Sequence, residues 1–89
     1  MADHLVTVDV DLTTKGKRLA AWHFANSGAA GVINLREGSV SGDIKIQIQL
    51  ATTTSASQAY SVPDGCPLFV NGLFVDVVTG TIVGSVTLI

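Results

Sequence analysis

The sequence predicts an all-β protein, a small antiparallel β-sandwich or barrel with roughly seven or eight short strands. Three observations predict this class. Apolar and polar residues alternate with period two in most segments, turn residues recur at intervals of about 8 to 12 residues, and no segment carries a capped helical pattern. The pattern leaves immunoglobulin-like, jelly-roll-like and barrel connectivity open. The 89 residues are enough for a single β domain, residues 1–89.

The first strand is expected at residues 4–12, where Val6, Val8, Val10 and Leu12 share one face. A turn follows at residues 13–16, and a second strand is expected at residues 17–25. Ala and Leu in that segment also suit a helix. Because the segment is short, uncapped and surrounded by strands, a strand is the better prediction.

The middle of the chain predicts four further strands. They are expected at residues 32–36, 43–50, 58–62 and 68–70, with turns at residues 37–42, 63–65 and 71–72. Residues 43–50 carry the clearest alternation, with Ile44, Ile46, Ile48 and Leu50 expected inside. Lys45, on the opposite face, is expected to discourage edge-to-edge pairing.

The last segment, residues 73–89, predicts a β-hairpin that turns at Thr79 and Gly80. Both of its faces carry apolar side chains. One face can fill the core of the domain, and the other requires a second cover. We therefore expect a paired C-terminal strand and an apolar surface that a partner covers.

The composition excludes several classes of function. Charged residues make up 13% of the chain, whereas about 25% is usual in globular domains, so part of the surface is expected to be covered in the working state. Five basic residues and a net charge of −2 predict no direct nucleic-acid binding. No apolar run is long enough for a membrane span, and the acidic N-terminus predicts no Sec export. Cys66 is the single cysteine and is expected to be buried.

No catalytic, cofactor or metal site is predicted. Asp9 and Asp11 would lie about 7 Å apart on one strand face, but no third carboxylate is near them in the sequence. His4 and His23 have no ligand spacing. The glycine-rich segments have no following lysine and helix, so they do not form a phosphate-binding loop.

The aromatic residues have three possible roles. Trp22 and Phe24 share one face of the predicted second strand, where they would fill the core, anchor an interface or form a sugar-stacking platform. The sequence carries few aromatic residues for a carbohydrate-binding module. In the last segment, Phe74, Val78 and Val83, or their neighbours on the opposite face, are the candidates for an interface between subunits.

Residues 18–88 resemble small β-sandwich virion proteins of tailed bacteriophages. The shared features are the strand pair with a small-residue loop in RLAAWHFANSGAAGVINL, the REGS turn, and the late NGLFV strand followed by a glycine turn. The resemblance implies a structural virion protein, a capsid decoration or cement protein on the outer shell, with the major capsid protein as partner and a homotrimer as the assembly. It also implies synthesis in the host cytoplasm.

Two alternatives remain open. One is a tail, neck or fibre component of the virion. The other is a carbohydrate- or receptor-binding module that uses Trp22 and the loops around Asn26 and Ser55. An enzyme is not predicted, because no set of residues in the sequence supports one.

Overall fold

A computed structural model describes residues 2–12, 16–26, 28–52, 55–60 and 65–89, with side chains from residue 4 onward. Within them the chain forms two antiparallel sheets and no α-helix, so the predicted all-β sandwich is confirmed. The described residues form nine strands: β1 (Ala2–Val6), β2 (Val10–Leu12), β3 (Lys17–Asn26), β4 (Gly31–Glu37), β5 (Ile44–Leu50), β6 (Ser55–Ala59), β7 (Leu68–Phe69), β8 (Leu73–Thr79) and β9 (Ile82–Leu88).

The two sheets are interleaved along the chain. Sheet A has the order β1-β9-β3-β6, with the short β7 also paired to β3, and sheet B has the order β2-β8-β4-β5. Among the described strands, β4 and β5 are the only consecutive pair that is hydrogen bonded. Most connections therefore cross from one sheet to the other, and the core is assembled from residues that are distant in sequence.

The predicted strand at residues 4–12 is wrong as a single element. β1 pairs with β9 in sheet A, and β2 pairs with β8 in sheet B, so the chain changes sheets between Val6 and Val10. Val6 is completely buried, whereas Val8 is 66% exposed, because the alternation does not continue through the crossing. The carboxylate of Asp9 accepts a hydrogen bond from the backbone N–H of Val77 at 2.7 Å, beside the end of the short β2. This division accounts for the ninth strand.

The predicted C-terminal hairpin is also wrong. β8 lies between β2 and β4, and β9 lies between β1 and β3, so both edges of each strand are already paired within different sheets. Gly80 carries the chain across with a φ of 90°. A Cβ at Gly80 would lie 2.9 Å from the carbonyl oxygen of Ala30, so the crossing packs against the loop before β4. The C-terminal segment is nevertheless a paired strand, as expected.

Most of the other strands lie close to their predicted positions. β3, β4 and β5 confirm the strands expected at residues 17–25, 32–36 and 43–50, and β3 confirms a strand over a helix. β6 lies three residues earlier than the strand expected at residues 58–62, and β7 is one residue shorter than predicted. Residues 13–15 of the turn predicted at residues 13–16, residues 63–64 of the turn predicted at residues 63–65, and residues 61–62 lie outside the described residues.

A β-bulge changes the expected pattern of β5. Leu35 pairs with Ile46 and Arg36 pairs with Ile44, which leaves Lys45 as an extra residue. Ile48 and Leu50 are buried as expected, but Ile44 is 45% exposed because the bulge shifts the alternation. The Lys45 ammonium does not project from an open edge. It lies 4.9 Å from the centre of the Phe69 ring and binds the Glu37 carboxylate at 3.1 Å.

The core lies between the sheets and draws on seven strands and one loop. Its fully buried large side chains come from β1, β3, β4, β7, β8 and β9, and β5 adds two more apolar residues. Cys66 is buried in the loop before β7, as expected. The fully buried residues are Phe24, Phe69, Leu19, Ile33, Leu35, Leu73, Ile82, Val6, Val75 and Val86.

Candidate functional surface

The outer face of sheet A, the side turned away from sheet B, consists mainly of small uncharged side chains among its described residues, although the register also places Asp3 of β1 on this face, opposite Thr87. The strand register places alternate residues of β1, β3, β6 and β9 on it. Among its described side chains, His23 is the only titratable group. The face comprises Leu5, Ala21, His23, Ala25, Ser55, Ser57, Ala59, Val83, Ser85 and Thr87.

The middle of this face is slightly concave. A shallow, open depression of about 310 Å³ lies over β3, β6 and β9. His23 lies in its lining, with Ser57 beside it on β6 and Ser85 beside it on β9. Such a surface offers apolar contact and a few hydrogen-bonding groups to a partner, and charge is nearly absent from it.

The outer face of sheet B differs in charge and hydrogen bonding. Arg36 donates a hydrogen bond to the carboxylate of Asp76 at 2.9 Å, and these two partly buried groups form an ion pair across β4 and β8. Next to them, the Gln47 amide donates to the side-chain oxygen of Asn34 at 2.9 Å, and Gln49 donates to Gln47 at 3.0 Å. These polar groups bind one another on the surface of sheet B. The asymmetry between the sheets makes the outer face of sheet A the better candidate for a docking surface.

Trp22 and Phe24 do not lie on either surface. They share one face of β3, as expected, but that face is the inner one: Phe24 is fully buried and Trp22 is 9% exposed. Their rings stack with a centroid separation of 6.1 Å and an interplanar angle of 29°. The two residues fill the core, which is one of the three roles considered from the sequence, and their burial disfavours the roles of interface anchor and sugar-stacking platform. The docking candidates on β3 are the residues that alternate with them and lie on the outer face, such as His23.

The three interface candidates of the last segment are not brought together. Val83 is 57% exposed and lies on the outer face of sheet A. Phe74 is half-buried and Val78 is 48% exposed, and both belong to β8 in sheet B. The predicted patch assumed a hairpin, and the crossing at Gly80 separates its members. Val83 alone belongs to the candidate surface.

Two of the sequence features that carry the phage resemblance meet at one end of the sandwich. The carboxylate of Glu37, from the REGS turn, accepts a hydrogen bond from the backbone N–H of Asn71 at 2.7 Å. The N–H of Gly38 donates to the carbonyl of Gly72 at 2.8 Å. A Cβ at Gly38 would approach the Asn71 Cβ to 3.2 Å. These motifs join the β4–β5 hairpin to the turn before β8, and this contact gives them a structural role.

Electrostatics at this contact favour an ionised Glu37. Burial raises the pKa of the carboxyl group, but the Asn71 N–H and the Lys45 ammonium together outweigh that effect, and the pKa lies below its ordinary value. Lys45 also donates to the carbonyl of Leu68. Glu37 and Lys45 therefore form a charged clamp over Phe69 at the end of the core.

The described part of the chain shows no cluster of three or more His, Cys, Asp and Glu residues that could hold a metal ion. Asp9, considered with Asp11 from the sequence, uses its carboxylate on the backbone of β8. Asn26, considered as part of a binding loop, is buried and donates to the carbonyl oxygens of Ala29 and Ala51. No described helix is long and apolar enough to span a membrane.

Sequence reasoning missed most of the candidate surface. The relevant signal was present in β3 and β9, where Ala21, His23 and Ala25 alternate with large apolar residues, as do Ser85 and Thr87. The sequence alone does not mark these small residues as a surface of interest. Their significance depends on four strands being adjacent, which only the topology shows.

Comparison with protein-family models, with curated proteins and with solved structures gave no significant match.

Proposed function

We propose that this chain is a structural virion protein of a bacteriophage, a capsid decoration protein that binds the outer capsid shell through the outer face of sheet A. The proposed activity is binding by buried area rather than catalysis, and the proposed partner is the major capsid protein. The observation that supports this most directly is the contrast between the two outer faces. One is a small-residue, almost uncharged sheet surface, and the other carries paired charges and amides.

The chemistry of the face suits adhesion to another protein. Serine, threonine and alanine side chains cost little conformational entropy when they are buried, and their desolvation is far less costly than that of charges. Leu5 and Val83 add apolar area near one side of the face and are 74% and 57% exposed. The strands beneath the face are paired and cover a packed core, so the surface is rigid before it binds.

The size of the face favours binding in several copies. Four strands at about 4.8 Å and five residues at about 3.4 Å give a projected area of about 320 Å², well below the roughly 800 Å² per partner that is usual for stable complexes. One copy would bind weakly. An oligomer that engages several equivalent capsid sites gains affinity through avidity, and this supports a homo-oligomeric decoration protein located on the virion.

The assignment to a phage particle comes from the resemblance of residues 18–88 to tailed-phage virion proteins. The segments that carry it include the REGS and NGLFV motifs, which contact each other in the fold. A tail, neck or fibre component shares the same general chemistry. A sugar-binding module based on Trp22 is disfavoured because that ring is stacked on Phe24 in the core.

Imaging of the particles tests the proposal. Virions of the phage that encodes the chain are prepared with and without the gene and compared by cryo-electron microscopy. We expect density on the outside of the shell that disappears with the gene. Density at the tail, neck or fibres would support the alternative position, and identical particles would refute a virion role.

A further inference from the structure

We propose that two copies of this chain associate through β6, edge to edge and antiparallel, so that the strands β1-β9-β3-β6 of the two copies form one continuous sheet. β6 is the edge strand of sheet A on the side away from β1. It pairs with β3 on one side, and four of its five residues are exposed. The inference concerns a second copy of the chain and does not depend on the proposed capsid role.

β6 lacks the features that normally prevent edge pairing. Edge strands usually carry a charged residue, a proline or a bulge, because unpaired backbone groups attract other strands. β6 has the sequence SASQA, which contains no charge and no proline, and its register with β3 is unbroken over five residue pairs. No described strand pairs with its other edge, so its backbone is a candidate for β-augmentation.

The other three edges are each less suited to self-pairing. β5 carries the Lys45 bulge, and β2 is three residues long and contains Asp11. β1 contains Asp3 and His4. An antiparallel two-fold pairing of any of these strands places charged or titratable residues of the two copies near one another or offers few hydrogen bonds. Among the described edges, β6 is the one that is both five residues long and free of titratable residues.

The sequence of β6 is compatible with its own two-fold copy. A pairing centred on Ser57 sets that residue opposite its equivalent and sets Ser55 opposite Ala59. All of these residues lie on the outer face of sheet A and are small, so no side chain clashes across the axis. Because both outer faces then continue into each other, the dimer doubles the uncharged surface to about 640 Å² in projection.

A five-residue strand pair buries less area than a stable dimer needs, so the association is expected to be weak in dilute solution. Sedimentation velocity from about 1 µM to about 1 mM should show a reversible monomer–dimer equilibrium. A chain that remains monomeric over the whole range, or that forms trimers, would overturn the inference.

A cysteine at the proposed axis gives a sharper test. In the proposed register, the two Cα atoms at position 57 lie about 4.5 to 5.5 Å apart, which a disulfide can bridge. Ser57→Cys should form a covalent dimer under mild oxidation, while Ser39→Cys, in an exposed loop, serves as the control. The native Cys66 is buried and should not compete. Equal rates of crosslinking at the two positions would contradict the proposed register.

Charge substitution provides an independent measurement that does not depend on oxidation. Ser57→Lys and Ser57→Glu each place like charges opposite one another, and each should weaken self-association at least about tenfold. Mixing the two variants should restore a dimer that contains one copy of each. Circular dichroism verifies that both variants are folded. β6 pairing would be refuted if each folded variant associated as strongly as the wild type. It would also be refuted if the mixture of the two variants failed to form a dimer.

Discussion

Replacement of Gly84 by alanine should be one of the most damaging small changes in the molecule. Gly84 lies in β9, between Val6 of β1 and Phe24 of β3. A Cβ at this position would lie 2.2 Å from the carbonyl oxygen of His23 and 2.4 Å from Cδ1 of Phe24. Ordinary van der Waals contact begins near 3.4 Å, so each of the two obstructing atoms must move by at least about 1 Å.

The required movement involves backbone as well as a side chain. The carbonyl of His23 belongs to β3, the central partner of β9, so relief of the clash must displace two paired strands or tilt the Phe24 ring into a full core. Overpacking of this kind typically costs about 1 to 3 kcal/mol, and we expect the upper end, about 3 kcal/mol. For a domain of this size, that loss lowers the melting temperature by about 12 to 24 °C.

Thermal and urea unfolding, followed by circular dichroism and by the fluorescence of Trp22, measure this effect. The matched control is Ser85→Ala, the next residue, whose side chain points outward and whose replacement should change stability by less than about 0.5 kcal/mol. Without the clash, alanine would stabilise a strand slightly by restricting the unfolded chain. A Gly84→Ala variant as stable as the wild type would therefore refute the proposed packing of β9 on β3.

Three further substitutions have definite expected results. Glu37→Gln removes a carboxylate whose pKa is lowered in the fold, so the wild type should exceed the variant in stability above about pH 4.3, and the difference should fall as the pH drops through the folded pKa. Asp9→Ala removes the acceptor of the Val77 N–H and should cost about 1 kcal/mol in urea unfolding, since water can partly replace it. Phe24→Ala should cost about 3 to 5 kcal/mol, whereas Val83→Ala, on the exposed face, should cost less than about 0.5 kcal/mol.

Each of these measurements has a matched control. Asp43→Asn changes an exposed acid near Glu37 and should leave the pH dependence of stability as in the wild type. If Asp43→Asn and Glu37→Gln changed this pH dependence equally, the proposed role of the Glu37–Lys45 ion pair would be contradicted. Asp9→Asn retains a side-chain oxygen and should lose less stability than Asp9→Ala. If Val83→Ala proved as damaging as Phe24→Ala, the assignment of the two residues to opposite faces of sheet A would be wrong.

The positions of most strands were predictable, because apolar and polar residues alternate along a strand that buries only one of its faces. β5 shows this best: Ile46, Ile48 and Leu50 face inward and alternate with the polar Gln47 and Gln49, and a strand follows directly from that pattern. The prediction failed at the bulge, where Lys45 is an extra residue. The apolar and polar residues of the sequence continue to alternate there, so the pattern does not reveal the bulge. A bulge depends on the register with β4, which a single sequence does not contain.

The pairing of strands was far less predictable. A glycine-containing turn between two period-two segments is compatible both with a hairpin and with a crossing between sheets. At Thr79 and Gly80 the chain crosses, since the loop before β4 packs against Gly80 and both strands are central in their own sheets. The division of residues 4–12 was unpredictable for a similar reason, because β1 and β2 pair with β9 and β8, which lie near the other end of the chain.

The sequence predicts that the protein has an interaction surface, but it does not predict which residues form that surface. The low charge predicts that part of the surface is covered by a partner, and the exposed apolar residues Leu5 and Val83 mark one place where such a partner could bind. The sequence directed attention to Trp22 and Phe24, since large aromatic residues are common in interfaces. Both are buried, so the side chains that β3 presents on the outer face are those that alternate with them, such as His23.

The most direct test of the account is the binding of two single-charge variants to virus particles that lack the chain. Ser85→Lys places a charge in the middle of the outer face of sheet A, and Gln49→Lys places the same charge on an exposed position of sheet B. We predict that Gln49→Lys restores wild-type density on the shell and that folded Ser85→Lys reduces occupancy at least about tenfold, because a buried unpaired charge opposes docking. Equal occupancy by the two variants would contradict the claim that sheet A is the docking surface.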